Sequence, residues 1–311
     1  MGRKTLFRLS LLSVALFVFS SCATIPQSSL SEFSSAVLLT AENNSAAYAE
    51  IERVHHEVEL MKAVVYFDSK GFKPDSLSAY FDEQDLKIRK QVLDGLLLYS
   101  EKLSELAGNR QIEEFDAETR NLGSSLQNLN EGLLEKSFFK NTAVSPSQIQ
   151  IFTTAVNAVG RWIIEYKKDK TIRESIIGMN GSVGEICVMF EQDLGNLHGV
   201  EHKSIRGLRI QQWNQYDELM MLQDKFIREN SAKFGPVSKK LEIEKLAALP
   251  QKQKESDATM AEIQNSFKKL REIHNSLSAE CTGEKQDYEL LLKNLIAEGK
   301  RIGKFYKSVK E

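Results

Sequence analysis

Apolar residues recur along this chain at steps of three and four, the spacing that lines one face of an α-helix, and almost nowhere at the step of two that a half-buried strand requires. From Leu30 the stripe runs through Phe33, Val37, Ala41, Ala47, Ile51, Val54, Val58, Met61 and Val65, predicting one long helix that ends near Lys70-Gly71. A second helix is expected from about Asp82 to Ala107, carrying Val92, Leu96, Tyr99, Leu103 and Leu106, with Gly108-Asn109 as its stop. A third follows at once, with Phe115, Leu122, Leu126, Leu129 and Leu133 on one face. Ser145-Pro146-Ser147-Gln148 then combines a capping hydroxyl, a first-turn proline and a Gln placed to close a capping box, which marks the start of a fourth helix through Phe152, Val156, Val159 and Ile163. That pattern fades in Lys167-Lys168-Asp169-Lys170 and resumes as far as Asn180-Gly181.

A fifth stripe, from Ser182 to about Phe234, passes through Cys187, Phe190, Leu194, Leu197, Ile205, Leu208, Leu219, Leu222 and Phe226. Glu201, Gln212 and Gln215 interrupt it, and Gly235-Pro236 ends it. Beyond a kink expected at Pro250 comes the most regular stretch: Met260, Ile263, Phe267, Leu270, His274, Leu277, Cys281, Glu284, Tyr288, Leu291, Leu295, Glu298, Ile302, Phe305 and Val309. Its alternating steps form a heptad seam, and the phase holds across Thr282-Gly283, so a single unbroken helix is expected there. The five prolines all lie where the pattern breaks, as exclusion from helix interiors predicts. The fold class expected is all-α: an elongated antiparallel bundle with long coiled-coil-like helices, one domain over residues 30–311. Seam residues such as Leu291 and Leu295 are equally able to pack within the chain or against a second copy in a homo-oligomer.

The N-terminus follows different rules. Arg3, Lys4 and Arg8 stand without an acid, and Leu9 to Phe19 is almost wholly apolar, the order of a secretory signal. Spanning a bilayer takes roughly twenty apolar residues, so this shorter core is expected to be removed. Ser20 and Ser21 lead into Cys22, and residues 1–23 resemble the lipobox signal of bacterial lipoproteins, with Phe19 standing where that class usually has Leu. The resemblance implies cleavage before Cys22 and a diacylglyceryl group on its thiol. An ordinary secretory signal cut nearby is the alternative. Ala23, in place of the Asp that commonly retains such proteins at the inner membrane, implies the periplasmic face of the outer membrane, or the outer face of the cell membrane where only one membrane exists. Acyl chains gain about 0.8 kcal/mol per buried methylene, enough for stable anchoring when two or three are present. Residues 23–29 then form a Ser-rich tether. Leu6 occupies the position where N-myristoylation needs Ser or Thr, which excludes that anchor.

Removal of residues 1–21 takes away three basic residues, leaving 38 Lys and Arg against 43 acids and a net charge of −5. That mild, well-mixed balance gives no electrostatic reason to expect nucleic acid as a partner. In an exported chain the two remaining cysteines are free to pair. Cys187 lies 47 residues before Phe234 and Cys281 lies 47 after it, so a hairpin turning there with equal arms sets them opposite each other, and a Cys187–Cys281 disulfide is expected. Two buried free thiols are the alternative.

One string has catalytic spacing. His198-Gly199-Val200-Glu201-His202 matches the inverted zincin pattern, two histidines a helical turn apart with a glutamate between them as base. A third ligand is not specified, no strands exist to build the α/β domain of such peptidases, and Gly199 weakens the helix that must present both rings. A polar contact or solvated kink is the plainer reading. His55 and His56 point in different directions around a helix, His274 reads as a register-setting polar contact in the heptad seam, and Trp162 and Trp213 read as core or helix-contact residues. Lys300, Arg301, Lys304, Lys307 and Lys310 alternate with Ile302, Phe305 and Val309, giving a basic amphipathic end that is either a solvated face or a contact for anionic lipid or an acidic partner. The function expected is a lipid-anchored, non-catalytic helical scaffold or adaptor for a periplasmic or outer-membrane partner, needing no cofactor. The alternative is a metal binder or metal-dependent hydrolase built on His198, Glu201 and His202.

Overall fold

The computed structural model describes residues 25–73, 77–108, 117–138, 145–165, 172–195, 207–284 and 286–310. Among them are ten helices and no strand: α1 Gln27–Val65, α2 Phe67–Lys70, α3 Glu83–Ala107, α4 Ala117–Gln127, α5 Glu131–Phe138, α6 Pro146–Glu165, α7 Ile172–Leu194, α8 Leu208–Asn230, α9 Pro236–Cys281 and α10 Glu289–Lys310. Local chemistry explains most of their starts. The Asp82 carboxylate accepts the Gln84 N–H at 2.8 Å to cap α3. At α6 the capping box is formed in both directions, the Gln148 side chain accepting the Ser145 N–H at 2.9 Å and the Ser145 hydroxyl accepting the Gln148 N–H at 3.4 Å. The single third helix expected from the pattern is instead α4 and α5, because the Asn130 side chain accepts the Leu133 N–H at 2.9 Å and caps a new start. The stop expected at Asn180-Gly181 is not one. α7 runs through it, held by buried Ile176, Met179, Val183 and Ile186, whose packing outweighs the cost of about 1 kcal/mol for an interior glycine.

Two larger departures set the topology. Residues 182–234 are not one segment: α7 stops at Gly195, whose φ of 67° suits glycine, and α8 begins after Gly207. The two glycine backbones touch, since a Cβ placed on Gly195 would lie 2.5 Å from the Gly207 Cα. α8 therefore starts at the level where α7 ends. The unbroken helix expected across Thr282-Gly283 is also absent. α9 ends at Cys281, Gly283 takes a φ of 98°, and the Glu284 N–H folds back to the Ala279 carbonyl at 3.1 Å, so that α10 returns antiparallel to α9. The buried face of α10 is Leu292, Leu295, Ile302 and Tyr306, continuing from buried Tyr288 just before it, and it departs by one residue from the expected seam at Leu291 and Phe305. Pro250 sits on the exposed face inside α9, which spans 46 residues.

α9 serves as the common partner. It runs antiparallel to α7, with Phe190 stacked on Phe267 at 4.8 Å, to α8, with Arg209 on Asp257 at 2.8 Å, and to α10, with Arg301 on Glu262 at 2.7 Å. α10 lies parallel to α1, where Asn43 donates to the Gly299 carbonyl at 2.9 Å. One continuous core joins the first half of α1 with α3, α6, α7, α10 and the C-terminal half of α9. The last turns of α1, with α8 and the N-terminal half of α9, carry a separate small cluster of Val58, Leu219 and Leu222. We call these regions the body and the arm.

Candidate functional site

Cys22, His198, Glu201 and His202 lie outside the described residues, and so does the signal segment before Cys22. Among the described residues no group of three or more His, Cys, Asp or Glu side chains converges as metal ligands would. No helix among them is long and apolar enough to cross a membrane.

The expected Cys187–Cys281 bridge is not formed: both are free thiols, buried. The helix register shows why. Arg209 facing Asp257, Gln253 bonding the Trp213 carbonyl and Gln223 bonding Glu242 all fit a hairpin turning near Phe234, so the equal-arm argument holds between α8 and α9. It fails one helix earlier, because α8 starts at the level where α7 ends although Gly195 and Gly207 are twelve positions apart. Asn180 facing His274 and Phe190 facing Phe267 place Cys187 level with residues near Lys269. Cys281 therefore lies a dozen residues further along α9, roughly 18 Å at 1.5 Å per residue. Burial pushes both thiols above the ordinary cysteine value, so neither has the thiolate character of a reactive cysteine.

His274 is a buried polar contact in the core of the body. Its Nε2 lies 2.8 Å from the Tyr99 hydroxyl and its Nδ1 lies 2.8 Å from the Asn180 side-chain oxygen. A neutral ring satisfies both partners, with Nδ1–H donating to Asn180 and Nε2 accepting from Tyr99. Burial lowers its pKa to about 3. His55 and His56 diverge as their spacing requires: His55 is half-buried, 5.6 Å from the Tyr80 ring, and His56 is exposed. Trp162 packs on Tyr99 at 4.9 Å, while the Trp213 carbonyl accepts from Gln253. On α10, Lys300, Arg301, Lys304 and Lys307 are exposed or half-exposed, yet Tyr306 lies level with Glu50, about 35 Å along α1 from its start. The basic end is thus at mid-height, away from the N-terminus of α1.

Sequence reasoning missed two polar nodes, one within the body and one where the body meets the arm. In the first, Arg89 and Asp193 form a buried two-pronged ion pair at 2.7 and 2.9 Å, with the Tyr48 hydroxyl donating to the same carboxylate at 3.3 Å. In the second, buried Glu50 accepts from Arg53 at 2.7 and 2.8 Å and from the Tyr216 hydroxyl of α8 at 3.0 Å. Those bonds hold the Arg53 pKa above its ordinary value, and burial followed by the Glu50 charge raises that of Tyr216. The Arg89–Asp193 pair is buried on both sides, whereas the Arg53 side chain of the second node is partly exposed.

Grooves of about 510 and 500 Å³ lie on the body, beside Trp162 and Met179 and beside Gln84 and Asn128, and a further one lies on the arm. A cavity of about 690 Å³ opens between α1 and α8, lined by Glu59, Lys62, Tyr66, Lys70, Met221 and Leu222 among others. Lys62 reaches Glu59 and Glu218, both at 2.9 Å. Burial works against its charge, and the two carboxylates outweigh it, leaving its pKa raised. Lys70 and Lys225 stand over the Tyr66 ring at 5.2 and 4.4 Å. Around this groove and beyond it, Val64, Phe67, Phe72, Met221, Val237, Leu241 and Ile243 are exposed, whereas exposed large apolar side chains on the body are scattered singly. This surface is suited to binding an apolar or anionic partner. No protein family's sequence profile, no curated protein and no solved structure matches the chain.

Proposed function

We propose that this chain is a lipid-anchored envelope protein, cleaved before Cys22 and acylated there, that acts as a non-catalytic helical scaffold or adaptor for a periplasmic or outer-membrane partner. The observation that carries the reading is the polarity of the molecule. α1 begins five residues after Cys22 and leads through the body to the arm, about 58 Å away over its 39 residues. The end nearest the proposed anchor is the body with its continuous core, and the end furthest from it carries the 690 Å³ groove beside seven exposed large apolar side chains. In this reading the bundle is an elongated antiparallel spacer with coiled-coil-like seams, and Ala23 assigns it to the inner leaflet of the outer membrane.

Two measurements test it. Labelling of cells with palmitate is expected to mark the wild-type chain and to miss Cys22→Ser, and an unlabelled wild type would end the lipid reading. A photo-crosslinker at Met221 in the groove is expected to give a discrete adduct, and the same probe at Leu290 on the body is expected to give none. Stoichiometric zinc in the purified protein, lost when His198 and His202 are both changed to Ala, would replace the adaptor with a metalloprotein.

A further inference from the structure

The free end of the arm is chemically unlike the rest of the molecule. Phe67 and Phe72 follow the end of α1, Val237, Leu241 and Ile243 lie at the start of α9, and all five are exposed, Val237 by 75% and Phe67 by 56%. Lys225 of α8 stands over Tyr66, and Gln223 of α8 reaches Glu242, so these turns of α1, α8 and α9 lie at one level. Residues 66–73 and 224–245, which build this end, carry eight basic and five acidic side chains, a net of +3. The rest of residues 22–311 carries −8. The acids here are largely cancelled locally: Asp224 by Arg228 at 2.7 Å, Glu242 by Lys245 at 2.8 Å and Glu244 by Lys240 at 3.5 Å. Lys233 and Lys239 bond instead to Asn230 and Ser231, neutral acceptors that do not offset their charge.

We infer that this end is a second membrane contact, which docks on an anionic bilayer surface. Protruding Phe, Val, Leu and Ile side chains match insertion to the headgroup–acyl boundary, and the surrounding lysines match lipid phosphates. A net positive end on a net negative chain also orients the molecule, since the −8 remainder is repelled by the same surface. The inference deepens the anchored-adaptor reading, because a chain acylated at Cys22 and bound to lipid at its other end bridges two bilayers. The lipid contact itself needs no acylation, so the two fail separately.

The test uses residues 22–311 carrying Cys22→Ser, sedimented with vesicles of phosphatidylcholine alone or mixed with phosphatidylglycerol. Binding is expected to the mixed vesicles, weakening as salt rises, with little to the neutral ones. Changing Lys70, Lys233 and Lys240 together to Gln is expected to weaken binding about a hundredfold. Phe67→Ser with Phe72→Ser is expected to weaken it while leaving the salt dependence. All of these side chains are exposed, and an unchanged thermal melt confirms the fold. Changing Lys300, Lys304 and Lys307 to Gln on α10 is expected to leave binding as it was. No binding to mixed vesicles, equal binding to neutral ones, or loss caused by the α10 changes instead would overturn the inference. A protein crosslinked from Val237 in cells, with vesicles unbound, would overturn it in favour of a protein partner.

Discussion

In the body, Phe190 lies flat on Phe267, Tyr99 meets Trp162 edge-on, and Leu30, Phe33, Ile51, Val156, Phe190 and Leu292 are shut off from solvent. In the arm, the packing of α8 against α1 and α9 buries Gln212, Gln215, Gln223, Gln253 and Ser256. Gln253 donates to the Trp213 carbonyl at 3.0 Å and to Asp217 at 2.7 Å, and Gln223 donates to Glu242 at 2.7 Å. Apolar burial acts without direction and accumulates with area, so the body gains stability from every added side chain. An amide seam fixes register by its geometry, but each bond is worth only about 1 kcal/mol net. The arm is therefore well specified and weakly held. It should open as a unit while the body stays folded, the behaviour expected of a region whose surface meets a partner.

The largest effect should come from the body. Asp193→Asn leaves Arg89 charged and buried without its anion, and breaking a buried pair costs about 3–5 kcal/mol. Urea unfolding should show that loss globally, and Arg89→Met combined with Asp193→Leu should recover most of it. A loss confined to the arm would mean that this node belongs to the wrong region. The arm should respond in the opposite direction at Pro250. It sits exposed in the interior of α9 and offers no N–H to the Leu246 carbonyl, so Pro250→Ala removes a helix penalty of up to about 3 kcal/mol without loss of packing. Hydrogen exchange should slow in α8 and the first half of α9 and stay unchanged in α7. Equal slowing in both would show that arm and body open together.

These contrasts also separate what the chain's pattern discloses from what it hides. The start at Ser145 was legible because a cap is a contact over two or three residues. The end of α9 was not, because a heptad count measures steps and not direction: Cys281 to Tyr288 is seven residues whether the chain continues or turns back. The cysteine pairing failed for a related reason. Counting to Phe234 treats every residue as an advance along a helix axis, whereas Gly195 and Gly207, twelve positions apart, are in contact. Arg89 lies one turn before Val92 on the predicted stripe, but its burial makes sense only beside Asp193, 104 residues away. His274 was readable as a polar member of a seam, whereas Tyr99 and Asn180 come from helices that only tertiary packing brings to it. Gln212 and Gln215 were visible as interruptions of the α8 stripe, and both are buried where α8 packs, Gln215 beside His55 of α1.

His274 gives the next effect in size. Its folded pKa of about 3 lies below the ordinary histidine value near 6.5, so the unfolded chain takes up the proton first. The stability tied to the neutral ring is complete above about pH 6.5 and is lost as pH falls toward 3, by at most about 1.4 kcal/mol per unit. At pH 5 the loss is about 2 kcal/mol. Burial raises the carboxyl pKa values of Asp94, Glu101 and Glu191, which acts in the opposite sense at lower pH, so the informative quantity is the difference between wild type and His274→Gln. Urea midpoints for the two should converge as pH falls from 7 to 5. Parallel curves would mean that the imidazole is not sealed in the body.

The smallest effects compare two helix starts. α6 in the body opens with the reciprocal Ser145–Gln148 box, and Ser145→Ala should cost about 1 kcal/mol. α9 in the arm opens at Gly235, which provides no side-chain cap, has a φ of −65° that any residue adopts, and has open space where a Cβ would go. Gly235→Ser adds the missing acceptor without strain and should stabilise α9 by a few tenths of a kcal/mol. The two changes should also differ in what they move. Ser145→Ala should shift the global unfolding midpoint, because α6 shares the continuous core. Gly235→Ser should leave that midpoint where it is and slow hydrogen exchange only near the turn between α8 and α9, since the arm opens before the body unfolds. A global shift from Gly235→Ser would show that the arm, despite its amide seam, is coupled to the core as tightly as α6.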